Sequence, residues 1–232
     1  YAPSTVQEMA DYVYHAFEVG DKYRTPVMLL ADGMLGQMME PVELPEQIDA
    51  STLPDKPWAV TGTELKREHN IINSLFLAPQ ELEDRVVERF QRYAQIEKEE
   101  QRFEAYRCDD AEVIVVAFGA SSRIARSAIN HAREQGVKVG LLRPITLWPF
   151  PVDALESYID KVKSFLVVEM NMGQMVDDVR LVVNGRKPVN FFGHTGGIIP
   201  TPIEVEDVIA DVMEGKVVDT VPFHGKYERG AE

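Results

Sequence analysis

Cysteine is almost absent from this chain: Cys108 stands alone among 232 residues. One thiol cannot form an internal disulfide, and it lacks the companions that a zinc site or an iron-sulfur cluster requires. Any redox centre that works with this chain is therefore expected on another one. Basic residues are also in short supply, with 24 Lys and Arg against 38 Asp and Glu and a formal net charge of −14. That balance opposes attraction to phosphate backbones and anionic membranes, so neither nucleic acid nor membrane is an expected partner. No apolar run approaches the length needed to cross a bilayer, and no segment resembles a secretion signal. The expected location is the cytoplasm. His15, His69, His131 and His224 are isolated and show no metal-ligand spacing, so no metal site is assigned and no chemistry is given to them.

What is present is enough apolar residue, 45%, to fill more than one core. Ser4 and Thr5 are good caps, and Val6, Met9, Val13, Ala16 and Phe17 follow at helical spacing. Residues 26–31 are continuously apolar, which predicts a strand covered on both faces. Tyr1 is not an initiator methionine and no strand precedes the first helix, so this unit is expected to be a piece whose N-terminal half is absent. Pro41, Pro45, Pro54 and Pro57 then discourage regular structure, which predicts a linker. Pro79 can open a long helix with Leu82, Val86, Phe90 and Tyr93 as its apolar stripe and Glu81/Arg85 and Glu88/Arg92 as ion pairs.

The second half alternates more clearly. Strands are expected at 112–118, 137–142, 163–169 and 189–192, and helices along 124–132, 174–183 and 203–213. This order predicts an α/β fold with a mainly parallel sheet.

Four loops could carry chemistry. Gly119-Ala120-Ser121-Ser122-Arg123 offers backbone donors at a helix start, yet it lacks the Walker and full Rossmann patterns, so a plain strand-to-helix turn is preferred to phosphate binding. Glu169-Met170-Asn171-Met172-Gly173-Gln174 could orient a substrate, but a capped helix start is the simpler reading. His194-Thr195-Gly196-Gly197 is read as structural for want of a second partner. The loop from Asp32 and Gly33 through Met34, Gly36, Gln37, Met38 and Met39 to Glu40 stands open between two readings. Its glycines permit close approach and its methionines make adaptable walls, which suits either a cofactor ring or a packing surface.

Taken together, Ser4-Thr5-Val6-Gln7-Glu8-Met9, Pro26-Val27-Met28-Leu29-Leu30-Ala31-Asp32-Gly33 and Gly36-Gln37-Met38-Met39-Glu40-Pro41 resemble the latter half of the pyrimidine-binding domain of 2-oxoacid:ferredoxin oxidoreductase alpha subunits. Val113-Ile114-Val115-Val116-Ala117-Phe118-Gly119, Val139-Gly140-Leu141-Leu142-Arg143-Pro144 and Val168-Glu169-Met170-Asn171-Met172-Gly173-Gln174-Met175 resemble the same family's transketolase C-terminal-like domain. Within the family, Met38-Met39-Glu40-Pro41 is closest to the branched-chain 2-oxoisovalerate group.

The resemblance implies part of a pyrimidine-binding domain at 1–45, a linker and long helix at 46–106, and a transketolase C-terminal-like domain at 107–232. It also implies oxidative decarboxylation of a 2-oxoacid to an acyl-CoA, with electrons passing to ferredoxin. Thiamine diphosphate and Mg2+ would be shared with a beta subunit, the iron-sulfur clusters would lie on other subunits, and beta, gamma and delta subunits are the expected partners. The family's activating glutamate and its Thr/Ser-rich motif have no counterpart here, so no catalytic residue is assigned. Asp32, Gly33, Gly36, Gln37 and Glu40 are carried over as lying near the cofactor or the subunit interface. The competing readings are a non-catalytic assembly domain and a component of the transketolase or 2-oxoacid dehydrogenase beta type.

Overall fold

The computed structural model describes residues 1–220, so His224 lies outside the described residues. The chain runs α1 (Val6–Tyr23), α2 (Pro79–Glu99), β1 (Phe103–Tyr106), β2 (Val113–Val116), α3 (Gly119–Glu134), β3 (Val139–Pro144), α4 (Val152–Ile159), β4 (Ser164–Glu169), α5 (Met175–Val183), β5 (Val189–Gly193) and α6 (Pro202–Met213).

The strands form one sheet in the order β1-β3-β2-β4-β5, parallel except for β1, which pairs antiparallel with β3. Because β2, β3 and β4 are covered on both faces, they read as unbroken apolar runs in the sequence. Period-two alternation divides their side chains between two cores. Ile114, Val116, Phe165, Val167 and Phe191 pack with α4 and α5 on one face. Val113, Val115, Leu141, Leu166 and Val168 pack with α3 and α6 on the other. The result is an α/β/α layering, mixed only at the β1 edge.

The first third differs from expectation in three respects. Residues 26–31 are extended but join no sheet ladder, and Met28 and Leu30 are exposed. Their backbone bonds run to Tyr1, whose amino group donates to the Met28 carbonyl and whose carbonyl accepts from Leu30 N, both at 2.8 Å. A strand composition without neighbouring strands on both sides yields only an extended segment. Next, α1 forms, with Thr5 accepting from Glu8 N at 3.0 Å, but Val13 and Phe17 of its apolar stripe are exposed. The face that α1 buries instead carries Val19 and Tyr23, packed on Ile96 and Tyr93 of α2. Finally, Arg85 of α2 pairs with Glu88 rather than Glu81, while Arg92 pairs with Glu88 as expected.

The N-terminal segment is fastened to the sheet by charge. Arg143 on β3 is 4% exposed, and its guanidinium meets Glu8 of α1 and Glu104 of β1. Burial alone would raise the Glu8 carboxyl, but Arg143 and the amide and hydroxyl of Ser4 outweigh it and hold Glu8 below the usual carboxylate range. Ala2 N adds a bond to the Ile145 carbonyl at 2.7 Å.

Arg143→Met should therefore leave Glu8 without its cation, while Glu104 keeps Arg126. The loss expected in urea denaturation at pH 7 is about 2–3 kcal/mol, below the roughly 3–5 of a fully buried pair because both glutamates keep some water. The pH dependence has a definite sign. A depressed folded-state value means that Glu8 stabilises above its unfolded value of about 4.3 and loses that contribution as pH falls through the folded one. The gap between wild type and Arg143→Met should accordingly narrow below about pH 4. An unchanged gap there would show that Glu8 is not the partner that matters.

Candidate functional site

In an open parallel sheet, ligands bind beyond the carboxyl ends of strands where the connections diverge. Here β2 leads through α3 to β3 on one side, and β4 leads through α5 to β5 on the other. The divergence therefore lies between the ends of β2 and β4, beside the first turn of α3. An anion is held at that turn, and it comes from the chain itself. Asp32 accepts from Ala120 N through Oδ2 and from Leu35 N through Oδ1, both at 2.8 Å. Gly119 at the helix start has a φ of +55°, and a Cβ placed there would lie 2.8 Å from Asp32 Oδ2. A side chain at position 119 would thus collide with the carboxylate, in a backbone conformation that L residues resist.

Glu40 makes the corresponding contact from the other end of the loop. Its Oε1 pairs with Arg123 of α3 at 2.7 Å and its Oε2 accepts from Val6 N at 3.0 Å. The Val6 amide and the Arg123 guanidinium hold its carboxyl below the usual range. Between these anchors, Leu35 points inward at 1% exposure within a short 3-10 turn, Leu35–Gln37. Gly33 and Gly36 face open space, and Gln37 is exposed.

Gly33, Met34 and Gln37 form one side of a shallow hollow of about 360 Å³, and Met170, Ile198 and Ile199 form the opposite side. Met170 follows β4, and Ile198 and Ile199 follow β5. Met170 lies in the Glu169–Gln174 loop that the sequence singled out, whereas Ile198 and Ile199 carried no such signal, although the strand-end rule applies equally to them.

The other candidate loops engage several of their polar groups within the chain, while Met170 and Gly197 reach the hollow. Glu169, 1% exposed at the end of β4, accepts from Met175 N and Val176 N at 3.0 Å and so caps α5. Asn171 donates to the same carboxylate at 3.0 Å and accepts from Gly173 N at 2.7 Å. This is the capped helix start that was preferred. His194 packs edge-on against Phe192, with its backbone N donating to the Glu169 carbonyl at 3.3 Å. Among the described residues, His194 Nε2 has no hydrogen-bond partner and lies 3.9 Å from Glu204. His15 contacts the Tyr1 hydroxyl and Glu18, and His131 lies 3.6 Å from Glu206.

The donor set decides what this hollow can hold. The carboxylates of Asp32 and Glu40 are already engaged by amides and an arginine of this chain. The groups left open to the hollow are Gly33 and the Gln37 amide, set between methionine and isoleucine side chains, with Gly36 exposed in the same loop. A flat heteroaromatic ring fits a hollow with apolar walls and a few polar edges. Among the described residues, no group of three or more His, Cys, Asp or Glu is placed to hold a metal.

Comparison with known proteins adds the lineage. A family model described as pyruvate flavodoxin/ferredoxin oxidoreductase, thiamine diphosphate-binding matches residues 1–106. A second, pyruvate:ferredoxin oxidoreductase core domain II, matches residues 111–205. The ketoisovalerate oxidoreductase subunit VorB of Methanothermobacter thermautotrophicus is 46% identical over 213 residues, covering 92% of this chain and 59% of its own length. The 2-oxoglutarate synthase subunit KorA of Methanocaldococcus jannaschii is 31% identical over 230 residues, covering 90% and 62%. This chain therefore spans about three-fifths of the length of these relatives. A solved 2-oxoglutarate:ferredoxin oxidoreductase from Magnetococcus marinus superposes with a TM-score of 0.66 at 18% identity, over 90% of this chain and 41% of that one, and shares its fold. With the doubly wound sheet, the thiamine-binding match over its first part and the core-domain match over its second, the chain belongs to the 2-oxoacid:ferredoxin oxidoreductase family.

Proposed function

We propose that this chain works as the alpha-type part of a thiamine diphosphate-dependent enzyme that oxidatively decarboxylates a branched-chain 2-oxoacid to its acyl-CoA and passes the electrons to ferredoxin. The observation that carries this reading is the 46% identity to a ketoisovalerate oxidoreductase subunit, across 92% of this chain. Thiamine diphosphate, when bound, supplies the carbanion stabilisation that decarboxylation requires.

The residues of this chain have more limited tasks. Gly33 and Gly36 allow a ring to approach the backbone, and Gln37 offers an amide to its edge. Met34, Met170, Ile198 and Ile199 shield that face from water. Asp32 and Glu40 belong to the same loop but act on the protein rather than on the ring. The diphosphate with its Mg2+ falls to a beta subunit, and the iron-sulfur clusters to further subunits of gamma or delta type. Cys108 is a poor cluster ligand, since burial pushes its thiol up to about 11.

The division of labour follows the proposed domains: a pyrimidine-domain part at 1–45, a linker and long helix at 46–106, and a transketolase C-terminal-like part at 107–232. Assembly surface is plentiful, because Val13 and Phe17 on α1 and Leu65, Ile71, Leu77 and Phe90 along the linker and α2 are all exposed. The proposed setting is the cytoplasm, and no helix among the described residues is long and apolar enough to cross a membrane.

The same exposed surface would serve a purely architectural subunit, and one experiment separates the two. The full-length subunit assembled with its partners is given 2-oxoisovalerate, coenzyme A and ferredoxin, with and without thiamine diphosphate. The proposal expects thiamine-dependent ferredoxin reduction with release of a branched acyl-CoA, and no turnover by the 232-residue chain alone. Stable assembly without thiamine dependence, or robust turnover by this chain by itself, would overturn it.

A further inference from the structure

We infer that Asp32 and Glu40 are positioning residues, which suspend the loop between them from α3 so that the sheet domain sets how residues 33–37 meet the cofactor. This rests on the reading of that loop as the ring-facing wall.

Three observations carry it. First, the two carboxylates bracket the loop, and both reach the same helix one turn apart, Asp32 at Ala120 and Glu40 at Arg123. A loop held at both ends to one rigid element has little freedom left between them. Second, the attachment answers a need of the helix. Phe118, the N-cap of α3, contributes no side-chain hydrogen bond, so the buried amide donors of the first turn lack a local side-chain acceptor. Asp32 supplies one from 88 positions away, with its negative charge at the positive end of the helix. Gly119 clears its path, since a Cβ there would lie 2.8 Å from Oδ2. Third, Asp32 also shapes the loop itself. Its Oδ1 accepts from Leu35 N at 2.8 Å and its carbonyl accepts from Gly36 N at 3.1 Å, which seats Leu35 inward and leaves the glycine faces and Gln37 outward.

A role of this kind requires that a change on α3, remote from any ring, alter the binding of the ring. Gly119→Ala displaces the Asp32 carboxylate, Asp32→Asn removes its charge, and Arg123→Gln removes the contact of Glu40 with α3, leaving its bond from Val6 N and the helix backbone intact. Arg123→Lys serves as the conservative variant, because it retains the charge at position 123. Two readouts apply to the full-length subunit in its assembled complex: amide hydrogen exchange across residues 33–39 without cofactor, and thiamine diphosphate affinity together with its KM and the kcat at saturation.

The expected result is exchange faster by about tenfold and thiamine affinity weaker by about tenfold in Asp32→Asn, Gly119→Ala and Arg123→Gln, the scale of one lost charge-assisted bond. kcat at saturating thiamine should stay within about threefold, and Arg123→Lys should recover part of the loss. Should Gly119→Ala fail to fold, Arg123→Gln and Asp32→Asn still decide the matter. Unchanged exchange in them would show that the anchors do not hold the loop. Faster exchange with unchanged thiamine affinity would show that holding it does not serve the cofactor. Gln37→Ala separates failure of this inference from failure of the functional reading: if it weakens thiamine binding while the α3 variants do not, only the anchoring is wrong, and if none of them does, the loop does not face the ring.

Discussion

The buried guanidinium of Arg143 is the interaction on which the rest of the arrangement depends. It sits in β3, within the sheet, and takes one carboxylate from α1 and one from β1. Removing charges from water is costly and is recovered only when geometry and partners are good, so such a group tolerates few alternative placements. With α1 fixed by Glu8, the extended segment after it is led past the start of α3, where Asp32 finds Ala120 and Glu40 finds Arg123. Each of these contacts joins an acidic residue of the first forty positions to a donor of the sheet domain. The excess of acid over base in the composition is therefore partly structural, with carboxylates spent on fastening one unit to another.

This fastening explains why the candidate loop divides into two kinds of residue. Five positions, Asp32, Gly33, Gly36, Gln37 and Glu40, pointed to the cofactor from sequence, and all five lie in one stretch at the divergence of the strand connections. Within it, the charged pair turns toward the protein, while the glycines and the amide remain open. The opposite wall comes from Met170, Ile198 and Ile199, so the hollow is shared between the N-terminal segment and the sheet domain.

What could be read in advance follows from local physics. β2, β3 and β4 were legible as apolar runs between turn signals, because central parallel strands are buried on both faces, and β5, at the sheet edge, by its buried centre. β1 was not, since Phe-Glu-Ala-Tyr at 103–106 is a short edge strand with alternate residues exposed. Nor was α4, whose 8 residues give too few turns for a clear period. Residues 26–31 have strand composition but no ladder, because composition reports suitability for a sheet and not the presence of a neighbour. The spacing blocks identified the family, and the strand-end rule identified the loop. What no local signal could supply was the partner of each carboxylate, which lies 83 to 135 positions away. Glu8 sits in the first turn of α1, where its side chain accepts from Ser4, but its larger task is with Arg143.

The central claim is that this chain forms the ring-facing wall of a shared thiamine site and leaves the diphosphate to its partner. A cryo-electron microscopy structure of the assembled complex with thiamine diphosphate bound tests it most directly. The account predicts the aminopyrimidine ring in contact with residues 33–37 and with Met170 or Ile198 across the hollow, and the diphosphate with its metal on the partner chain. A ring that touches none of these residues, or a diphosphate held by this chain, would contradict it.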